Sequence, residues 1–251
     1  DKALVMNYYL SIPDSESRIE GTIQIADDGS FEIPAHQAFP NQQLFLTIGD
    51  YYTTVFLDQG LRMEIDLELL KKDATAYNNP AIKMSGPDAP VNEYMNKFYD
   101  YKNRHVDSIY HEDMMKQQEL SLSFAERTTC LNKTRATEIN IEDSFIKANG
   151  DAYAWILRND QLSQYYTNVI RTYNYTESKE RFFPPDSILQ QIFSHQPILT
   201  SFNCYGYYRE IISLFANRRP NPFEELNASH LSPEKTELVL VHGNMEGAPD
   251  E

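Results

Sequence analysis

"SGPDAP", Ser85 to Pro90, divides this chain. Two prolines and a glycine in so short a run stop any strand ladder. Asp88 stands where a helix N-cap would, and Pro90 falls in the first turn beyond it. Upstream, apolar residues alternate with polar ones; downstream, they recur at three and four residues. The chain therefore reads as α+β: an N-terminal antiparallel β-sandwich or small barrel over residues 1–86, then an α-helical domain over 87–238. Residues 239–251 are strand-like and then become loop.

Working upstream, "AIKMSG" supplies one strand. In "LDQGLRMEIDLE", Leu61, Met63, Ile65 and Leu67 alternate with Arg62, Glu64, Asp66 and Glu68, a half-buried strand with one wet face. "LFLTI" and "YYTTVFL" flank Gly49-Asp50, a hairpin signal. "IADDGSFEIP" reads as another hairpin: Asp28-Gly29 accepts the positive φ of a two-residue loop, and Ile23 and Ile25 answer Phe31 and Ile33. Asp27 and Asp28 as calcium ligands would need more oxygens than Ser30 and Glu32 offer, so the turn outweighs the ion site. "LVMNYYLSI" puts Leu4, Met6, Tyr8, Leu10 and Ile12 on one face. Six or seven short strands result.

Downstream, Val91, Met95, Phe98, His105, Val106 and Ile109 form one stripe of a long helix, with Lys102 interrupting it. Further helices are expected over roughly 120–147, stopped by Gly150; over 152–173, containing Trp155; over 186–194, after "FFPPD"; and over 201–217. "RRPNPFEELN" is a proline-broken connector, with a short turn near Ser232.

The net charge of −15, from 37 acids against 22 bases, repels phosphate backbones and anionic lipid, and no basic run overrides it. Nucleic-acid binding is excluded on that ground. No window supplies the ~18 consecutive apolar residues of a membrane span. The start "DKALVMNYYL" carries no signal-peptide pattern, which leaves a cytosolic protein or one whose signal segment precedes Asp1. Cys130 and Cys204 belong to no CxxC pair; they are two buried free thiols or one disulfide. Sequons occur at Asn132, Asn174 and Asn227 and matter only in a eukaryotic secretory pathway.

Catalytic signatures are lacking: no GxSxG, P-loop or dinucleotide fingerprint occurs, and nothing in the sequence places a nucleophile beside a base. His105, His111, Glu112 and Asp113 invite a metal site, yet six residues between the histidines suits no single helical face, and "HEDMM" lacks the second histidine of HExxH. A polar helix surface outweighs it, with His105 at the edge of the core. No cofactor, metal or catalytic residue is assigned. The 17 tyrosines, many in "NYYL", "GDYYTT", "QYYTN", "TYNYT" and "CYGYY", fill the edges of elements or form a platform for sugars or peptides.

"DDGSFEIP", "TVFLDQGLRMEID" and "MSGPDAPVNEYMNKFY", in that order, resemble the N-terminal region of thioredoxin-like disulfide reductases of the TlpA type found in Bacteroidetes. Asp28, Gly29, Phe31, Leu57, Gly60, Ser85, Gly86, Asn92 and Tyr94 carry the resemblance. "EGAPDE", through Gly247, Ala248, Pro249 and Asp250, resembles the entry to that family's thioredoxin domain, which makes 239–251 a linker toward a further C-terminal domain. Gln59 departs from the family's usual proline, and Leu61 from its common acid. The family's catalytic cysteines have no counterpart, so no catalytic residue carries over. The resemblance implies a periplasmic or lipid-anchored envelope protein whose partner is a protein client or a tethered thioredoxin domain. The covered chain would be its non-catalytic, substrate-positioning region. The competing expectation, from the tyrosines, is a surface binding module or an accessory subunit of an outer-membrane assembly for glycan or peptide uptake.

Overall fold

The computed structural model describes residues 5–11, 18–26, 28, 30–33, 39–72, 77–117, 119, 121–174 and 184–216. Gly29, Asp27, Leu4, Ile12, Asn227 and the whole stretch 217–251, with its connector, short turn and linker, lie outside them. Residues 1–210 form one compact unit; 211–251 form another, of which only 211–216 are described.

The fold is α+β with an N-terminal sheet. The first sheet has the order β2 (Arg18–Gln24), β1 (Val5–Ser11), β3 (Gln42–Ile48), β4 (Tyr51–Leu57), antiparallel throughout. Ile48 pairs with Tyr51, so Gly49-Asp50 is the two-residue loop the sequence indicates, with Gly49 at φ +59°. A second sheet pairs β5 (Arg62–Ile65) with β6 (Ile82–Ser85).

Period-two patterning explains the layering. Met6 and Leu10 of β1, Leu44, Leu46 and Ile48 of β3, and Val55 of β4 turn one way and are buried with half-buried Met63, Ile65 and Met84 from the second sheet and Leu61 just before it. The opposite face carries Gln43, Phe45, Thr54 and Phe56. Phe56 enters the helical core with Val91, Met95, Phe98, Ile141, Phe145, Ile156 and Leu157. The first sheet is thus buried on both sides, which is why β3 is apolar or buried along nearly its whole length.

The helices are α1 (Leu67–Lys72), α2 (Ala89–His105), α3 (Ser108–Lys116), α4 (Phe124–Asn149), α5 (Ala154–Asn174), α6 (Asp186–Ser194) and α7 (Phe202–Ala216). A capping box, Ser123 with Glu126, opens α4, and Gly150 at φ +87° closes it.

Three expectations are corrected, and a fourth holds in position but not in bonding. The alternation through Leu67 and Glu68 ends early: Asp66 accepts hydrogen bonds from the N–H groups of Glu68 and Leu69 and starts α1 instead. Phe31 and Ile33 form no ladder; they pack half-buried against the first core, while Ala26 N donates to Ser30 O across the turn. The long stripe from Val91 to Ile109 is two helices. The chain leaves α2 at Val106, and the Asp107 side chain accepts from Tyr110 N to begin α3, leaving Ile109 63% exposed.

The fourth concerns Asp88. It occupies the N-cap position of α2, yet its side chain bonds no N–H of that helix. Its buried carboxylate reaches back to the β4–β5 loop and accepts from the N–H groups of Asp58, Gln59 and Gly60 at 2.8–3.1 Å. Asn92, fully buried one turn later, accepts from Phe56 N at 2.7 Å and donates to Phe56 O and Asp88 O. Gly86, at φ +98°, passes so close that a Cβ would stand 3.2 Å from Gly60 O. The segment after β6 therefore clamps the end of β4, and Asn92 satisfies the buried backbone N–H and C=O of Phe56.

Candidate ligand cleft

The residues singled out for metal binding do not converge. His105 is exposed, stacked on Tyr101 at 3.8 Å with Nδ1 2.8 Å from Tyr101 O. His111 and Glu112 are exposed on α3, whereas Asp113 is buried and hydrogen-bonds the Cys130 thiol. Among the described residues no group of three or more His, Cys, Asp or Glu side chains is placed to hold a metal. Asp28 is a turn residue: its carboxylate accepts from Ser30 Oγ and Ser30 N, bonds that hold it below the usual carboxylate range.

Both cysteines are free and buried. Burial, with the Asp113 bond behind it, pushes the Cys130 thiol up. Cys204 has no exposed surface and lies 3.0 Å from Asn159 Nδ2 and 3.3 Å from Ser201 Oγ.

One pairing escaped the sequence: Ser163 Oγ lies 2.9 Å from His195 Nε2. It resembles a nucleophile beside a base, but the proton count argues otherwise. The single Ser163 hydroxyl proton goes to Asn159 O at 2.6 Å, so Oγ accepts from an Nε2–H and the imidazole cannot serve as base through that nitrogen. Ser163 is also wholly buried. Burial, reinforced by Arg135, lowers His195 to about 4. The pair ties the segment after α6 to α5.

A cleft of about 770 Å³ is bordered by α2, α3, α4, α5 and α7. It arises because α4 carries Arg127, Leu131, Thr134 and Glu138 at spacings of four, three and four, one helical face that is largely polar. Gln164, Asn168 and Arg171 of α5 also line it, along with Lys102, Tyr110, Arg209 and Glu210. Lys102 Nζ binds Glu138 Oε1 at 2.8 Å and Gln161 Oε1 at 2.6 Å. Tyr110 Oη donates to Glu138 at 2.7 Å, and burial beside that carboxylate raises its phenol. Arg171 Nε donates to Glu210 Oε1 at 2.9 Å, while Oε2 of the same buried carboxylate has no hydrogen-bond partner. Behind the cleft, Arg135 reaches Glu142 at 2.5 Å, and burial outweighs that bond and leaves the Glu142 carboxyl raised.

No protein-family model, curated protein or solved structure matches this chain.

Among the described residues the tyrosines do not form a single platform. Tyr9 stacks on Phe45 at 4.4 Å on the helix-facing side of the sheet; Tyr94, Tyr101 and Tyr153 surround the helical core; Tyr166 and Tyr207 flank His195. Their hydroxyls brace helix ends and loops: Tyr94 to Gly150 O, Tyr207 to Ile192 O and His195 O, Tyr208 to Pro197 O. The cleft offers charge and hydrogen bonds to a ligand, but its lining includes no cysteine, histidine or serine to act as nucleophile or base. What marked it in the sequence was Lys102 interrupting an apolar stripe, together with charges at stripe positions of α4.

Proposed function

We propose that this chain is the non-catalytic accessory region of a cell-envelope thiol-disulfide oxidoreductase, periplasmic or lipid-anchored. One observation carries the reading. Three residues behind the family resemblance, Gly60, Gly86 and Asn92, meet at one place, where Asp88 and Asn92 hold the end of β4 and Gly86 passes Gly60. Residues so far apart in sequence that share one junction support the reading of a common scaffold. Two buried cysteines suit a region whose redox chemistry belongs elsewhere. Its physical contribution is positioning: holding a client thiol beside a tethered redox domain raises effective concentration.

The test is the reading frame beyond Glu251, with fractionation of the native product. A downstream CxxC domain, recovered in the envelope and active in insulin reduction, supports the reading. A frame without one removes it.

A further inference from the structure

We propose that the cleft bordered by α4 and α5 binds a small organic carboxylate that also carries a hydrogen-bond donor, a molecule of the size of a dipeptide or a sugar acid. This stands apart from the envelope role, because the cleft's own charge carries it. In a chain with net charge −15, the lining brings together four cations, Lys102, Arg127, Arg171 and Arg209, against two carboxylates, Glu138 and Glu210. Lys102 is taken up by Glu138 and Gln161, and Arg171 gives its Nε to Glu210. Arg209 makes no ion pair among the described residues. Arg209, with its guanidinium outside any such ion pair, calls for an anion, and a guanidinium matches a carboxylate in two-pronged geometry.

Glu210 adds a second requirement. Its Oε2 is buried and lacks a donor, which leaves a desolvated acceptor on the wall. A bare anion would be repelled there; a ligand with an ammonium or hydroxyl group would complete it. The volume, about 770 Å³, lies in the usual range for small-molecule sites. Tyr110 and Tyr165 supply flat apolar walls.

Calorimetry on the whole chain tests this with glycylglycine, whose donor is an ammonium, and D-glucuronate, whose donors are hydroxyls. Acetate, glycinamide and inorganic phosphate serve as controls. One of the two probes is expected to bind with Kd below about 1 mM, with every control at least ~10-fold weaker. Which probe wins distinguishes a peptide from a sugar-acid source. Arg209→Gln should weaken that binding by about 10-fold while leaving the ligand-free melting temperature unchanged. Glu210→Gln should narrow the gap between the probe and acetate. Three results overturn the assignment: neither probe binding at about 10 mM, phosphate binding as well as the probe, or both variants binding like the parent chain.

Discussion

Gly49 sits at φ +59° with open space around it, so an added Cβ meets nothing and only the backbone objects. Gly49→Ala should cost about 1 kcal/mol in urea unfolding. Asn92 is the opposite case, with no backbone strain but three buried bonds to Phe56 and Asp88. Asn92→Ala leaves the Phe56 N–H and C=O without their partner, and a loss of about 3 kcal/mol is expected by the same measurement. His195 sets a pH dependence. Burial holds it near 4, whereas an imidazole in the unfolded chain protonates near 6.5. Between those values the unfolded chain binds a proton that the folded chain refuses, so stability is full above pH 6.5 and falls as pH drops toward 4. Discounted for partial solvation, the loss between pH 7 and pH 5 is about 1 kcal/mol. His195→Gln should remove that component from melting curves.

At the scale of elements, what was legible had a local cause. Gly49-Asp50 fixes its hairpin, the proline pair opens α6, and Gly150 closes α4. The break between α2 and α3 was hidden because Val106 and Ile109 keep the stripe's spacing, although Asp107 was a cap in plain view. Asp88 holds the N-cap position the sequence indicates, but a long-range claim on its carboxylate, the three N–H groups of the β4–β5 loop, beat the local one. The cleft was missed for a related reason: a charge inside an apolar stripe gives no sign of its partner. Lys102 and Glu138 are nearly buried on different helices, side-chain exposure 17% and 11%. Glu138→Leu should destabilise by about 3 kcal/mol, since it removes the carboxylate that pairs with a nearly buried ammonium. Adding Lys102→Met should recover part of that loss, and a double-mutant cycle in urea measures the coupling.

For the whole molecule, the sharpest statement concerns thiols. With Cys204 unexposed and Cys130 buried and pushed up, neither should react with an aromatic disulfide reagent in the native state, and both should react once guanidinium unfolds the chain. Residues 1–251 alone should likewise fail to reduce insulin even with a reductant supplied. Rapid native labelling of either cysteine, or turnover that a cysteine variant abolishes, would contradict this.

The N-terminal sheet and the start of α7 are also joined directly. Gln43 N donates to Thr200 O at 2.6 Å, the Gln43 side chain accepts from Phe202 N at 3.0 Å, and the Phe202 ring meets Phe45 edge-on. These contacts close a loop of more than 150 residues, so the order of synthesis matters. While the chain is being made, the patch of the sheet's helix-facing side around Gln43 and Phe45 lacks these contacts until residue 202 has left the ribosome. Contacts of such sequence separation slow folding and expose an adhesive intermediate. A chain cut after Ser194 should therefore aggregate, whereas the whole chain should refold in a slow phase that Gln43→Ala retards little and hastens in reverse.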